Sequence, residues 1–304
     1  MSRLSPIATR LPASFQIMLA DIGSAGGLHR RWTPIRANVS AVLFDPLDQS
    51  VGSERDRYFP VALAEGPRQA TIHVTKRVSM TSALLPNAPL LARFWDKPDH
   101  TEIVSTLEVP TDSLDRVMEK NGIALDVLKI DVQGGEFAIL SGAREALAGS
   151  IFLAEVEVSF LERYVGLRPF DAVIELMRSG GFDLIDVGRI KRYRHKNSFG
   201  VVNPGLGMGD RAGRIAFCDA LFFKNDAQLM DRISSGDESL ALKIILVLLT
   251  YGKADFAAWM FDRTRERIDG ALRGPLEKLF KSLRGRRLGA SGLHRALDYF
   301  ARKV

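Results

Sequence analysis

At 304 residues, with 46% hydrophobic and 26% charged side chains, the chain has the make-up of a globular protein with one large domain, or one domain and an appendage. Its single cysteine, Cys218, excludes an intramolecular disulfide and a cysteine-built zinc cluster. The net charge of +6 is uneven, since residues 227–304 hold 15 Lys and Arg against nine Asp and Glu, and no aromatic-interleaved basic stripe points to nucleic acid.

Residues 17–22 predict a first strand that runs through Asp21 into a glycine turn, Gly23-Ser-Ala-Gly26-Gly27. Glycines there permit a tight turn and a close approach of backbone to ligand. A second strand over 41–45 ends in Asp45, 22 residues beyond Gly23, about where a doubly wound fold places the acid that holds ribose hydroxyls. The dinucleotide fingerprint is incomplete, and Asp21 inside the turn would repel a pyrophosphate yet suit a ligand with a cationic end. S-adenosylmethionine, with its sulfonium and ammonium groups, has that character. An ordinary β–α turn of some other α/β protein has the same residues.

Further strands are predicted at 58–64, 126–131, 151–158 and 182–187, each rich in Val, Ile, Leu or Phe. Helical spacing occupies 111–120, 136–147 and 169–178. This alternation predicts an open, mostly parallel sheet with helices on both sides. Residues 66–110 depart from it, with extra β segments at 70–75 and 102–109 and a loop or lid over 79–100. A basic stretch and a glycine-rich loop over 203–209 precede a last apolar strand at 215–224. From 226 to 304 the pattern is helical, broken near Gly252, at Gly274-Pro275 and around 285–292. The chain thus divides into a body over 1–225 and a basic helical extension over 226–304. The first residues lack the apolar segment of a secretory signal, and the apolar run 244–249 falls short of the roughly 20 residues that span a bilayer, so a cytoplasmic location is expected.

The acids on the strands carry the chemical information. Lys129 and Asp131 lie two apart on one face of the fourth strand, and Glu155, Glu157 and Ser159 share one face of the next. Charges near buried strand ends are costly unless paired or in use. Glu136 opens a helix, where a carboxylate caps favourably. His29, His73 and His195 sit in no motif that recommends any of them as a base, and Cys218 reads as a buried thiol.

The segment Asp126-Val-Leu-Lys-Ile-Asp-Val-Gln-Gly-Gly-Glu-Phe-Ala-Ile-Leu-Ser-Gly-Ala resembles the signature of the FkbM-type methyltransferases, D-x-L-K-I-D-V-E-G-x-E-x-x-V-L-x-G-A. Agreement continues in the same order at Asp21-Ile-Gly23, Phe44-Asp45-Pro46, Thr111-Asp-Ser-Leu-Asp115, Glu155-Val-Glu157 and Asp219-Ala-Leu-Phe, over roughly residues 16–224. The resemblance implies a Rossmann-like class I methyltransferase fold, a mostly parallel seven-stranded sheet with an antiparallel last strand, here followed by the C-terminal helical extension. It also implies transfer of a methyl group from S-adenosylmethionine, usually to a hydroxyl oxygen. The chain departs from the family pattern with Asp45 where Glu is usual, Gln133 where Glu is usual, and Gly-Ser-Ala-Gly-Gly in the first turn.

On this basis Asp131 is expected to take the hydroxyl proton with Lys129 orienting it, and Glu155 and Glu157 to hold acceptor hydroxyls. Asp21, Gly23, Gly26, Asp45 and, at the adenine edge, Glu65 are the expected cofactor residues, with no metal. The expected acceptor is a hydroxyl on a sugar, glycan or glycolipid-type molecule, with nucleotide-sugars included. Arg192, Arg194 and His195 suit a phosphate on such an acceptor, and the basic tail suits a membrane surface or an acidic protein. Two other readings are a nucleotide-sugar or NAD-linked oxidoreductase and a catalytically silent scaffold that acts through its tail.

Overall fold

The computed structural model describes residues 3–23, 27–46, 53, 55–202, 212–237 and 239–284. Its centre is a seven-stranded sheet built from β1 (Ile17–Ile22), β2 (Val39–Phe44), β3 (Asp56–Phe59), β7 (Val127–Ile130), β8 (Leu153–Ser159), β9 (Phe182–Tyr193) and β10 (Arg214–Lys224), in the order β3-β2-β1-β7-β8-β10-β9. Strands β3, β2, β1, β7 and β8 run parallel, while β10 is antiparallel to both β8 and β9. A mostly parallel sheet with an antiparallel last strand is the expected architecture.

Alternate residues of each strand feed two separate cores, which is why the strands read as continuous apolar runs. Ile17 and Leu19 of β1 join Val39, Val127, Leu153 and Phe223 on one face. Ala20 and Ile22 join Val42, Leu128, Ala154 and Phe222 on the other. The second face is covered by the helices Leu114–Asn121, Glu136–Ser141, Arg144–Ala148 and Phe170–Ser179. The first face is covered by the helices Asp226–Ser234, Leu240–Thr250, Ala254–Thr264 and Gly270–Leu283, with Trp32 and Ile35 of a 3-10 stretch between β1 and β2. Leu240–Thr250 is apolar on nearly every side because it lies in the middle of that layer. Its one cation, Lys243, pairs at 2.8 Å with Asp126, which also accepts the Met18 N–H. No helix among the described residues is long and apolar enough to cross a membrane.

Several elements differ from expectation. The strand expected at 58–64 is two: β3 at the edge of the large sheet, and β4 (Ala62–Leu63) in a second sheet. Pro60 stands between them and has no N–H to continue the ladder. The second sheet adds β5 (Arg68–Thr75) and β6 (Ile103–Asp112) in the order β4-β6-β5, so the extra β segments form a platform of their own. The helix expected over 136–147 divides at Gly142, where a Cβ would come within 2.2 Å of the Ala64 carbonyl oxygen. Only a glycine lets the turn after β4 pack so closely there.

The segment 79–100 is an ordered strap. It contains the short helices Ala88–Leu91 and Lys97–His100 and is tied by bridges from Pro86 to Tyr164 and from Phe94 to His195. Phe94 is fully buried beside Leu91, Leu161 and Tyr193. The break expected at Gly274-Pro275 does not occur. The helix Gly270–Leu283 runs through Pro275, held to the core by Leu272, Leu276 and Leu279. The expected breaks around 285–292 and the loop 203–209 lie outside the described residues.

Candidate active site

The carboxyl ends of β1, β2 and β7 meet at a narrow point. Gly23, with φ of +81°, donates its N–H to the Phe44 carbonyl at 3.0 Å, and Asp131 donates its N–H to the Ile22 carbonyl at 3.0 Å. The chain turns here in the left-handed region that favours glycine. Gly27 also has a positive φ, while Gly26 lies outside the described residues.

Below this turn a row of charges crosses the sheet. Asp21, Lys129 and Glu155 are register partners on β1, β7 and β8. Lys129 Nζ donates to Asp21 at 2.8 Å. Burial pushes the Asp21 carboxyl up against the pull of Lys129, and burial would pull Lys129 down, yet Asp21 leaves its ammonium raised overall. Glu155 takes a bidentate pair from Arg31 at 2.9 and 3.0 Å and a hydrogen bond from Tyr251 Oη at 3.0 Å.

The next row is more strained electrically. Glu157 and Asp219 are directly opposed on antiparallel β8 and β10, an arrangement that repels unless compensated. Two arginines compensate it. Arg163, only 1% exposed, donates to Glu157 at 2.6 Å and to Ser159 at 2.9 and 3.1 Å. Arg189 donates to Glu157 at 3.0 Å and to Asp131 at 3.1 Å, and forms an ion pair with Asp219 at 3.1 Å. Arg189 has φ of +43°, which is uncommon for a residue with a side chain, and it follows a register shift between β9 and β10. Burial holds Glu157 up at about 7 in spite of Arg163, and burial raises Asp219 to about 6 in spite of Arg189.

The turn after β7 is built around Glu136. Its carboxylate accepts the N–H groups of Val132 at 3.2 Å and Gly134 at 2.9 Å, so from the first position of its helix it holds the turn that precedes it. Gln133, at φ +62°, donates Nε2 to Asp131 Oδ1 at 2.8 Å, and its Oε1 accepts from Arg163 at 3.3 Å. Its carbonyl accepts the Ser82 hydroxyl of the strap at 2.7 Å. An amide at 133 therefore links the acid to the buried arginine.

These elements enclose a cleft of about 780 Å³. Asp21, Gly23, Asp45, Lys129, Asp131 and Glu157 all line it, brought together from four strand ends. Phe44, Val61, Leu63, Ile72 and Ile139 form an apolar wall beside Asp45. Three expectations need correction. Lys129 grips Asp21, and the groups that orient Asp131 are Gln133 and Arg189. Glu155 does not line the cleft, because Arg31 and Tyr251 hold both its oxygens beneath it. Glu65 is exposed on the turn after β4 and is not among the lining residues. Of the histidines, His29 lines the cleft with its Nδ1 accepting the Arg31 N–H at 3.2 Å.

A methyltransferase FkbM domain model matches residues 27–184, just over half of the chain. The chain belongs to the FkbM methyltransferase family. A crystal structure of methyltransferase FkbM from Methylobacillus flagellatus KT is similar at 14% identity and a TM-score of 0.34, over 71% of this chain and 45% of that one. This chain therefore spans under half the length of that relative. A methyltransferase structure of provisional assignment from Thermoplasma acidophilum gives 9% identity and a TM-score of 0.30, over 70% of this chain and 69% of that one. Streptococcus pneumoniae Sp1610, provisionally a tRNA methyltransferase, gives 11% identity and a TM-score of 0.30, over 91% of this chain and 99% of that one. No curated protein matches the chain.

The FkbM family signature marks Lys129, Asp131 and Glu136 in this chain, yet the cations that complete the site are outside it. Arg31 comes from the 3-10 stretch after β1, Arg163 from the loop after β8 and Arg189 from β9. Buried acids on β8 demand nearby cations, and that demand was the available signal for Arg163, four residues beyond Ser159. Asp219 belonged to the matching segments but stood alone on its strand, with nothing in the sequence to set it opposite Glu157.

Proposed function

We propose that this FkbM-family protein transfers a methyl group from S-adenosylmethionine to a hydroxyl oxygen of a polar acceptor of sugar, glycan or glycolipid type. The observation that carries this reading is the position of Asp131. It is a partly exposed carboxylate lining the cleft, next to the glycine turn and held on both oxygens by neutral or cationic donors.

The residues present fit the donor. The apolar wall of Phe44, Val61, Leu63, Ile72 and Ile139 suits an adenine face, and Asp45 at the end of β2 suits a ribose diol. Gly23 lines the cleft, whose volume lies within the range of small-molecule sites. Asp21 contributes charge balance through Lys129 more than direct contact, since its carboxylate is almost fully covered. When bound, S-adenosylmethionine supplies an electrophilic methyl group that an oxygen nucleophile displaces from sulfur in line.

The chain's own groups then have two tasks. Asp131 accepts the hydroxyl proton, a general-base role worth about 10²–10⁴-fold. Gln133 and Arg189 fix its orientation, so little reorganisation is needed when the acceptor arrives. Glu157 and Arg163 hold the floor beneath it.

Methyl-labelled S-adenosylmethionine offered with a panel of hydroxylated acceptors tests the assignment. Labelled ether product is expected. Asp131→Asn is expected to lower turnover by about 10²-fold or more while donor affinity stays within a few-fold. Full activity in that variant would remove Asp131 from the reaction, and product labelled at nitrogen or carbon would overturn the O-methyl assignment.

A further inference from the structure

Seven cations line the cleft, and they divide into two groups. The inner three are matched by carboxylates: Lys129 with Asp21, Arg163 with Glu157, and Arg189 with Asp131, Glu157 and Asp219. The outer four, Lys97 on the strap, Arg77 just before it with its N–H on the His100 carbonyl at 3.2 Å, and Lys191 and Arg192 on β9, form no ion pair with a carboxylate among the described residues. Lys97 is half-buried with its ammonium 4.6 Å from the centre of the Tyr193 ring, and burial together with Arg77 lowers its pKa. Arg192 donates to the Gly213 carbonyl at 3.4 Å. Unmatched like charges gathered at one end of a concave site repel one another and focus a positive potential into it.

Their place in the fold separates them from the donor. In the sheet order, β9 stands five strand spacings from β2, so Lys191 and Arg192 are rooted about 24 Å from the strand that carries Asp45. Lys97 approaches from the same side, since Phe94 and His195 bridge the strap to the end of β9, and Arg77 is held to the strap's end through the His100 carbonyl. Asp131 lies between the two ends.

Resting on the methyl-transfer reading above, we infer that the acceptor carries a phosphate or pyrophosphate group, held by Arg77, Lys97, Lys191 and Arg192 so that its hydroxyl faces Asp131. Guanidinium and ammonium donors in one wall match a multiply charged, tetrahedral anion, and arginine recognises phosphate through paired hydrogen bonds. A neutral acceptor would leave the four charges to solvent alone. Such a group occurs on nucleoside diphosphates and on phosphorylated lipids alike.

The test is calorimetric titration of the full chain with pyrophosphate, with uridine diphosphate, and with phosphatidylcholine vesicles containing phosphatidic acid. Each is run with and without S-adenosylhomocysteine, on the wild type and on Lys191→Gln/Arg192→Gln. Pyrophosphate binding that falls about tenfold or more in the double variant, with S-adenosylhomocysteine affinity and the thermal melt unchanged, is the expected result. Uridine diphosphate tighter than pyrophosphate assigns a soluble nucleotide acceptor, and phosphatidic acid vesicles bound tighter than either, with the same loss in the double variant, assign a lipid. Equal pyrophosphate binding by both proteins, or none by the wild type, overturns the inference even when S-adenosylhomocysteine binds. Failure of S-adenosylhomocysteine alone to bind overturns the methyl-transfer reading and leaves the anion result to be judged by the double variant.

Discussion

The carbonyl oxygen of Asp131 occupies the space that a side chain on Gly23 would need: an ideal Cβ there would lie 2.1 Å away. This contact locks the end of β1 to the turn that presents the expected base. Both the positive φ and the clash oppose any larger residue. Gly23→Ala is expected to cost about 2–4 kcal/mol, with β1 and β7 forced apart at their ends. Urea denaturation checks it, and a loss below about 0.5 kcal/mol, the level of an innocuous surface change, would contradict the packing described.

The acids of the second row give stability a defined pH dependence. The folded protein holds Glu157 at about 7 against an ordinary 4.5, and Asp219 at about 6 against 3.8, so between these values it binds more protons than the unfolded chain. The contribution is fully present below the ordinary values and is lost as pH rises through about 7. Glu157→Gln removes one of the two titrations and is expected to flatten the decline between about pH 4.5 and 7, whatever it does to absolute stability. Urea midpoints measured across that window report the slope. A slope unchanged by the substitution would show that Glu157 is ionised throughout.

The helices from Asp226 onward cover most of one face of the sheet, with Ile244, Ile245, Val247 and Leu248 fully buried. A chain ending at Asn225 would expose Ile17, Leu19, Val127 and Phe223 to water, a patch far larger than a monomer tolerates. The shortened chain is expected to lack a cooperative thermal transition by circular dichroism. A sharp transition with native-like spectra would mean that residues 1–225 fold without the helices.

How much of this was legible in the sequence depended on the range of the interactions involved. β1, β2, β7 and β8 follow local apolar runs and were placed to within two residues. The helix Leu114–Asn121 follows its Ser113 cap and Gly122 stop. The break at Pro60 and the packing at Gly142 were missed because each depends on a distant partner, the second sheet in one case and Ala64 in the other. The site divides in the same way. Asp131 and Asp45 are at strand ends, where open sheets bind ligands, and both line the cleft. Glu155 has the same strand-end character, but Arg31 and Tyr251, more than 90 residues away in either direction, claim it. Periodicity assigns a face to a charge, whereas its partner is set by folding.

Calorimetric titration with S-adenosylhomocysteine tests most directly whether this crevice holds a sulfonium donor. One molecule is expected to bind per chain, with affinity reduced about tenfold or more by Asp45→Ala, and NAD is expected to give no heat. Binding of NAD in place of S-adenosylhomocysteine, or binding of neither, would contradict it.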